Sequence, residues 1–162
     1  PFQVITGTHW VFISFVLSEL GNHGVECGFM MGYFALAMDL TAISLVALKK
    51  SSDAKTKNLA LTSLISIFFT GTSEPALFGL CLNSPTALVA IVIAGACTGL
   101  YQGIVTINNY AYAFPTLFTS LTFQSDTDPT NFSQALIAAA ISFVVSLVIM
   151  ILFYRKKNDK NG

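Results

Sequence analysis

The sequence predicts an all-α, polytopic integral membrane protein built of transmembrane helices and re-entrant hairpins, and three observations predict it. Charge is scarce: of 162 residues 10% are Asp, Glu, Lys or Arg and 54% are apolar, with a mean hydropathy of +0.69. A soluble domain carries about 25% charged residues. Charge-free runs are long: 51 residues separate Glu74 from Asp126, and all 26 residues of 129–154 lack Asp, Glu, Lys, Arg and His. About 20 apolar residues suffice for a helix to cross a bilayer. Finally, the eight basic residues fall in two clusters, Lys49, Lys50, Lys55 and Lys57, then Arg155, Lys156, Lys157 and Lys160. The positive-inside rule puts both in the cytoplasm. This shortfall of charge argues against a soluble enzyme, a nucleic-acid binder and a disordered chain, and with zero net charge no global field points to a polyanionic partner.

Residues 4–20 are apolar apart from His9 and Glu19 and read as a first spanning or half-spanning segment. Residues 21–28, with three glycines and the acid Glu26, break it. A second helix is predicted over 29–48, ending at Lys49 and Lys50, where basic side chains suit both the helix C-terminus and the lipid phosphates. Residues 51–58 form a polar cytoplasmic loop. The apolar stretch 59–69 is too short to cross. It gives way to Gly71-Thr72-Ser73-Glu74-Pro75, resumes over 76–82 and stops at Asn83-Ser84-Pro85. Two short arms around a Gly/Pro-punctuated tip predict a re-entrant hairpin. Irregular backbone at membrane depth is tolerated only where it lines a cavity or is buried in protein, and such interrupted segments point to a transporter's binding site. Residues 86–107 cross outward and 108–124 form a second broken element. Asp126 and Asp128 lie in an outer loop, and 131–154 return to the cytoplasm ahead of a basic tail, 155–162. The start at Pro1, with no basic leader, reads as a piece of a longer polypeptide rather than a signal peptide.

Glu74 carries the sharpest chemistry. A carboxylate at bilayer depth costs roughly 2.5–3.5 kcal/mol on insertion scales, so it should face a cavity or a partner. Pro75 has no N–H and biases Glu74 away from the helical region. The backbone N–H groups of Gly71, Thr72 and Ser73 are then free to point into a cavity. A carboxylate beside backbone donors suits sugar hydroxyls, each of which donates to the acid and accepts from an N–H. His9 sits beside Trp10 in the first segment, where a lone His is as a rule a packed core residue. Asp39 is an isolated acid in the second helix and should line an aqueous cavity or meet a donor. Glu19, His23 and Glu26 read as solvated interface residues. Trp10, Tyr101, Tyr110 and Tyr112 suit a sugar-stacking platform or an aromatic belt equally well. Cys27, Cys81 and Cys97 have no metal-ligand spacing and read as buried apolar residues. No metal site or cofactor is expected, and no motif of a complete catalytic centre is present.

The run Gly-Thr-Ser-Glu-Pro-Ala-Leu-Phe-Gly over 71–79 resembles the G-[IV]-T/S-E-P-A-[IL]-[YF]-G signature of phosphotransferase-system sugar permeases. These are the membrane IIC domains of the glucose superfamily, in the branch for β-glucosides, sucrose and trehalose. Gly7-Thr8-His9-Trp10 resembles that branch's G-L-H-W, and Ala111-Tyr112-Ala113-Phe114-Pro115 resembles its A-Y-[AS]-F…L-P segment. The likeness covers nearly the whole chain. Two places depart from it: Asp39 stands where an amide, commonly Gln, is frequent, and 21–28 replace a Gly-Tyr-Asp-type loop.

The resemblance implies that residues 1–154 are the C-terminal, substrate-binding half of a IIC domain and 155–162 a cytoplasmic basic tail. It implies a multi-pass protein of the bacterial inner membrane that translocates a sugar and is coupled to its phosphorylation. Glu74, with Gly71, Thr72 and Ser73, would bind the sugar; His9 would bind it from another side, with Asp39 as a further binding residue. Glu74 and His9 are also the groups that could take the proton of the acceptor hydroxyl. The phosphoryl group would come from a phosphocysteine on a cytoplasmic IIB domain, itself supplied by IIA, so this chain alone holds no complete catalytic centre. A homodimer would form through an N-terminal half outside this sequence. The alternative from a different class is an ion-coupled secondary carrier with Asp39 and Glu74 as cation or proton ligands.

Overall fold

The computed structural model describes residues 2–114, 116–126 and 128–154. The predicted basic tail and Pro115 of the aromatic segment lie outside the described residues. In chain order the elements are α1 (Phe2–Ile5), α2 (His9–His23), β1 (Glu26–Cys27), α3 (Phe29–Lys50), α4 (Ala54–Phe69), α5 (Glu74–Ala76), a π-helical turn (Leu77–Cys81), α6 (Pro85–Ile104), β2 (Asn108–Asn109), a 3-10 helix (Leu117–Phe123) and α7 (Pro129–Phe153).

Among the described residues three helices, α3, α6 and α7, are long and apolar enough to cross a membrane. α3 is the central one, packed against α4, α6 and α7. Its partners meet it along helical stripes of small residues: Ala87, Ala90, Ala94 and Thr98 on α6, and Ala135, Ala138, Ala139, Ser142 and Ser146 on α7. That spacing keeps one face inward, and small side chains let backbones approach where lipid supplies no hydrophobic drive. The outward faces expose Leu100, Ile104, Val144 and Leu152, as lipid permits.

Polar ties mark the two ends of this bundle. At one end the Lys50 ammonium donates to the Ile151 carbonyl, and Thr86 Oγ1 donates to the Phe153 carbonyl at 3.3 Å. At the other end β1 pairs antiparallel with β2, Glu26 opposite Asn109 and Cys27 opposite Asn108. Asn131 fastens this end: its Nδ2 donates to the carbonyls of Asn108 and Phe123 at 2.8 and 2.7 Å, and its Oδ1 accepts from the Asn108 N–H at 2.8 Å. Glu26 is buried and not solvated as expected; its carboxylate caps α3, accepting from the N–H groups of Phe29 and Met30 at 2.6 and 3.1 Å. Cys27 is exposed rather than buried, its thiol donating to Asn108 Oδ1 at 2.8 Å. The broken element over 108–124 folds back onto the bundle through Phe123, fully buried against Met31, Phe34 and Ala135.

The hairpin forms with longer and less equal arms than predicted. α4 begins at Ala54, inside the expected polar loop, because Asp53 is its N-cap and accepts from the N–H groups of Lys55 and Thr56 at 3.1 and 3.0 Å. Its 16 residues rise about 24 Å, still short of a hydrocarbon core of about 30 Å. The chain turns over 70–73 and returns through α5 and the π-helical turn to Ser84, the cap of α6. The arms touch at Gly79, where an added Cβ would lie 2.5 Å from Leu59 Cδ2. The expected first segment is likewise divided. A turn over 6–8, closed by the Gly7 N–H on the Val4 carbonyl at 3.2 Å, separates α1 from α2. α2 continues through Gly21 to His23, and at 15 residues it is too short to span.

Candidate functional site

The hairpin tip is shaped by local bonding. Thr70 Oγ1 donates to the Ser66 carbonyl at 2.7 Å and meets Thr72 Oγ1 at 2.6 Å, closing the end of α4. Gly71 then takes φ +69°, a left-handed conformation that glycine adopts without Cβ strain. Pro75 does not hold Glu74 out of the helical region. Glu74 opens α5 and Pro75 follows inside the first turn, where a missing N–H breaks no helical bond. The Leu77 N–H closes the turn on the Ser73 carbonyl at 2.9 Å.

The tip forms one wall of a cavity of about 160 Å³. Gly71, Thr72, Ser73 and Glu74 line it from the hairpin, and His9, Trp10 and Ile13 from the first turns of α2. Met30 and Tyr33 contribute from α3, and Tyr112, Ala113 and Phe114 from the loop after β2. Four segments far apart in sequence thus converge on one space that holds a carboxylate, an imidazole, two phenols and an indole. Val4 of α1, buried in the main core, closes the base. The His9 and Trp10 rings lie 5.3 Å apart, and Trp10 is 64% exposed, so it stands at the rim. The volume is below the roughly 300–1,000 Å³ usual for drug-sized ligands, which suits a ligand of about one sugar ring.

His9 Nδ1 and Tyr33 Oη are buried with no hydrogen-bond partner among the described residues. An unmet buried polar group costs about 1–3 kcal/mol, and native proteins satisfy nearly all such groups. Two of them in the wall of one small cavity are chemistry suited to a hydroxyl-bearing guest.

Asp39 is not part of this cavity. It is 1% exposed, and its Oδ1 accepts from Ser142 Oγ at 2.6 Å and Ser146 Oγ at 3.0 Å, both on α7. It lines a separate space of about 70 Å³ with Thr98 and Gln102. The donors it needed come from the neighbouring helix, so it ties α3 to α7 and lies outside the cavity that Glu74 lines. Tyr101 and Tyr110 line neither the Glu74 cavity nor Asp39's space; the Tyr101 hydroxyl donates to Gln134 Oε1. Tyr33 was missed by sequence reasoning. Its signal was weak: a phenol one helical turn after Met30 and Phe29, on a helix whose inward face cannot be assigned without its neighbours. Among the described residues no group of three or more His, Cys, Asp or Glu could hold a metal ion.

No family model and no solved structure matches the chain. Curated relatives do. The chain is 28% identical over 152 residues to the arbutin-, cellobiose-, and salicin-specific EIIBC component of the phosphotransferase system of Escherichia coli, covering 94% of this chain and 31% of that protein. It is 29% identical over 149 residues to the sucrose-specific EIIBC component of Salmonella typhimurium, covering 90% of this chain and 32% of that protein. It is 26% identical over 107 residues to the beta-glucoside-specific EIIBCA component of Bacillus subtilis, covering 66% and 17%. The chain therefore spans about a third or less of the length of these relatives. An all-α architecture with three membrane-length helices and sequence similarity over most of the chain together support one reading: the chain resembles the sugar permeases of the phosphotransferase system, in their glucose branch.

Proposed function

We propose that this chain is the substrate-binding half of a sugar permease that translocates its sugar across the bacterial inner membrane and presents it for phosphorylation. The observation that carries the proposal is that Glu74 and His9, on separate elements, line one 160 Å³ cavity at the tip of a re-entrant hairpin. Glu74 accepts from sugar hydroxyls, the backbone over 71–73 and the Thr72 and Ser73 hydroxyls supply further partners, and His9 binds from α2. Because a carboxylate bond is charge-assisted, Glu74 is the main anchor.

Residues 1–154 act as the C-terminal half of the membrane domain, crossing the bilayer several times with Lys49, Lys50, Lys55, Lys57 and the 155–162 tail in the cytoplasm. The remainder of the permease supplies the other half and a dimer contact. Relatives whose names combine B and C, or B, C and A, components support cytoplasmic IIB and IIA phosphocarrier partners. A shift of the hairpin-bearing unit carries the sugar inward. A sugar hydroxyl then attacks the phosphorus of the IIB phosphocysteine: the P–O bond forms, the P–S bond breaks and the thiolate leaves. The hydroxyl proton passes to Glu74 or His9. This chain contributes orientation of the acceptor hydroxyl rather than the phosphoryl donor, and the charged product cannot return through lipid.

Uptake into vesicles holding the full permease tests the reading. Sugar accumulation should require the phosphocarrier proteins and should be lost in Glu74→Gln. Accumulation that continues without phosphocarriers and collapses with an ion gradient contradicts it.

A further inference from the structure

We propose that Tyr33 is a specificity-determining residue, whose phenol hydroxyl pairs with one particular hydroxyl of the bound glycoside. The proposal rests on the sugar-binding reading of the Glu74 cavity and deepens it.

Four buried side-chain polar atoms among the described residues lack a hydrogen-bond partner: His9 Nδ1, Tyr33 Oη, Ser44 Oγ and Gln102 Nε2. Two of the four belong to residues that line this one small cavity. Unmet groups scattered by chance would not gather there, and each costs stability while unmet. Tyr33 is also the better placed of the two to discriminate. Its ring is held at 4.9 Å from the Phe29 ring, which is itself stacked at 4.9 Å on Phe12 of α2, so the phenol is fixed by a row of aromatics. It enters from α3, a different wall from the hairpin tip, and it separates this cavity from a neighbouring groove of about 290 Å³ that it also lines. A phenol both donates and accepts, which matches a sugar hydroxyl in either role. A site built around a substrate hydroxyl discriminates strongly against an analogue that lacks it, because the protein group is then left unpaired.

Binding to the full-length permease in detergent tests this, using methyl β-glucoside, cellobiose, salicin and sucrose as probes and the deoxy analogues of the tightest binder. Wild type, Tyr33→Phe and Glu74→Gln are compared. Tyr33→Phe should weaken the tightest probe about three- to tenfold. One deoxy analogue should bind both proteins equally, so that the two deletions are non-additive at that hydroxyl alone. The ligand-free Tyr33→Phe protein should melt at the wild-type temperature or above, since it loses an unpaired hydroxyl; a residue that matters only for structure would lower it. Wild-type affinity for every probe in Tyr33→Phe, or an equal loss against every deoxy analogue, overturns the proposal. If Glu74→Gln weakens binding and Tyr33→Phe does not, the sugar site stands and the role of Tyr33 falls. If neither does, or if no probe binds wild type, both fall.

Discussion

Ser142 Oγ donates to Asp39 Oδ1 across 2.6 Å, joining two membrane-length helices at a buried point, and Ser146 adds a second bond at 3.0 Å. Lipid offers these groups no alternative partner. The pairing explains how a lone acid is carried at the centre of α3, and it gives Asp39 a structural part apart from the cavity that Glu74 lines.

Asp39→Ala should therefore lower the melting temperature of the detergent-solubilised permease, at a cost of about 0.6–1.7 kcal/mol per interhelical bond lost. Asp39→Asn keeps an acceptor oxygen and should cost less. Sugar affinity, measured by calorimetry, should be unchanged in both wherever the protein is folded. A tenfold loss of affinity in a stably folded Asp39→Asn protein would return Asp39 to the binding site.

Gly79 lets the return arm pack closely against Leu59 of α4. A Cβ there would lie 2.5, 2.9 and 3.0 Å from Leu59 Cδ2, Cδ1 and Cγ, so the whole leucine end must give way. Gly79→Ala should destabilise by about 1–3 kcal/mol, as overpacking does. Because the return arm leads from the tip, sugar affinity should fall as well. Adding Leu59→Ala makes room, and the double variant should be more stable than Gly79→Ala alone in chemical or thermal unfolding.

Two helix caps titrate outside the membrane segments. The Thr56 hydroxyl and the Lys55 and Thr56 N–H groups hold the Asp53 carboxyl below its ordinary value, and at the other end of the bundle the Thr130 hydroxyl does the same for Asp128. A carboxyl whose folded pKa is depressed adds stability that is full above its unfolded pKa, about 3.9, and is lost as pH falls through the lower folded value. Melting temperature should thus drop on acidification below about pH 4. Asp53→Asn keeps the cap, so it should match wild type near neutrality and show a shallower acid limb, whereas Asp53→Ala should melt lower at both pH values.

What the sequence disclosed followed from solvent. Charge-free runs marked α6 and α7, the apolar stretch ending at Lys49 and Lys50 marked α3, each within a few residues, and Gly71 with Pro75 marked the tip, because lipid disfavours charge and unsatisfied backbone. Asp53 was a readable cap that the polar look of 51–58 concealed. The rest depended on contacts between distant segments. Nothing near Glu26 announced that it would cap α3 from within a buried strand pair, and Asp39 could not be separated from Glu74 without knowing that α7 brings Ser142 and Ser146 to it. The same holds for Tyr33, whose meaning depends on α2 and the loop after β2 closing over it. His9 illustrates the boundary: by its apolar segment alone the imidazole reads as ordinary core chemistry, only the resemblance of Gly7-Thr8-His9-Trp10 set it beside Glu74, and the structure then shows both lining one cavity.

The most direct measurement is a double-mutant cycle on sugar binding to the full-length permease by calorimetry, with His9→Ala, Glu74→Gln and the pair. Glu74→Gln should weaken binding roughly 10- to 100-fold, the worth of a charge-assisted bond. His9→Ala should weaken it as well, and the double variant should lose less than the sum because both contact one ligand. Wild-type affinity in both single variants, in folded protein, would contradict the assignment of this cavity as the sugar site.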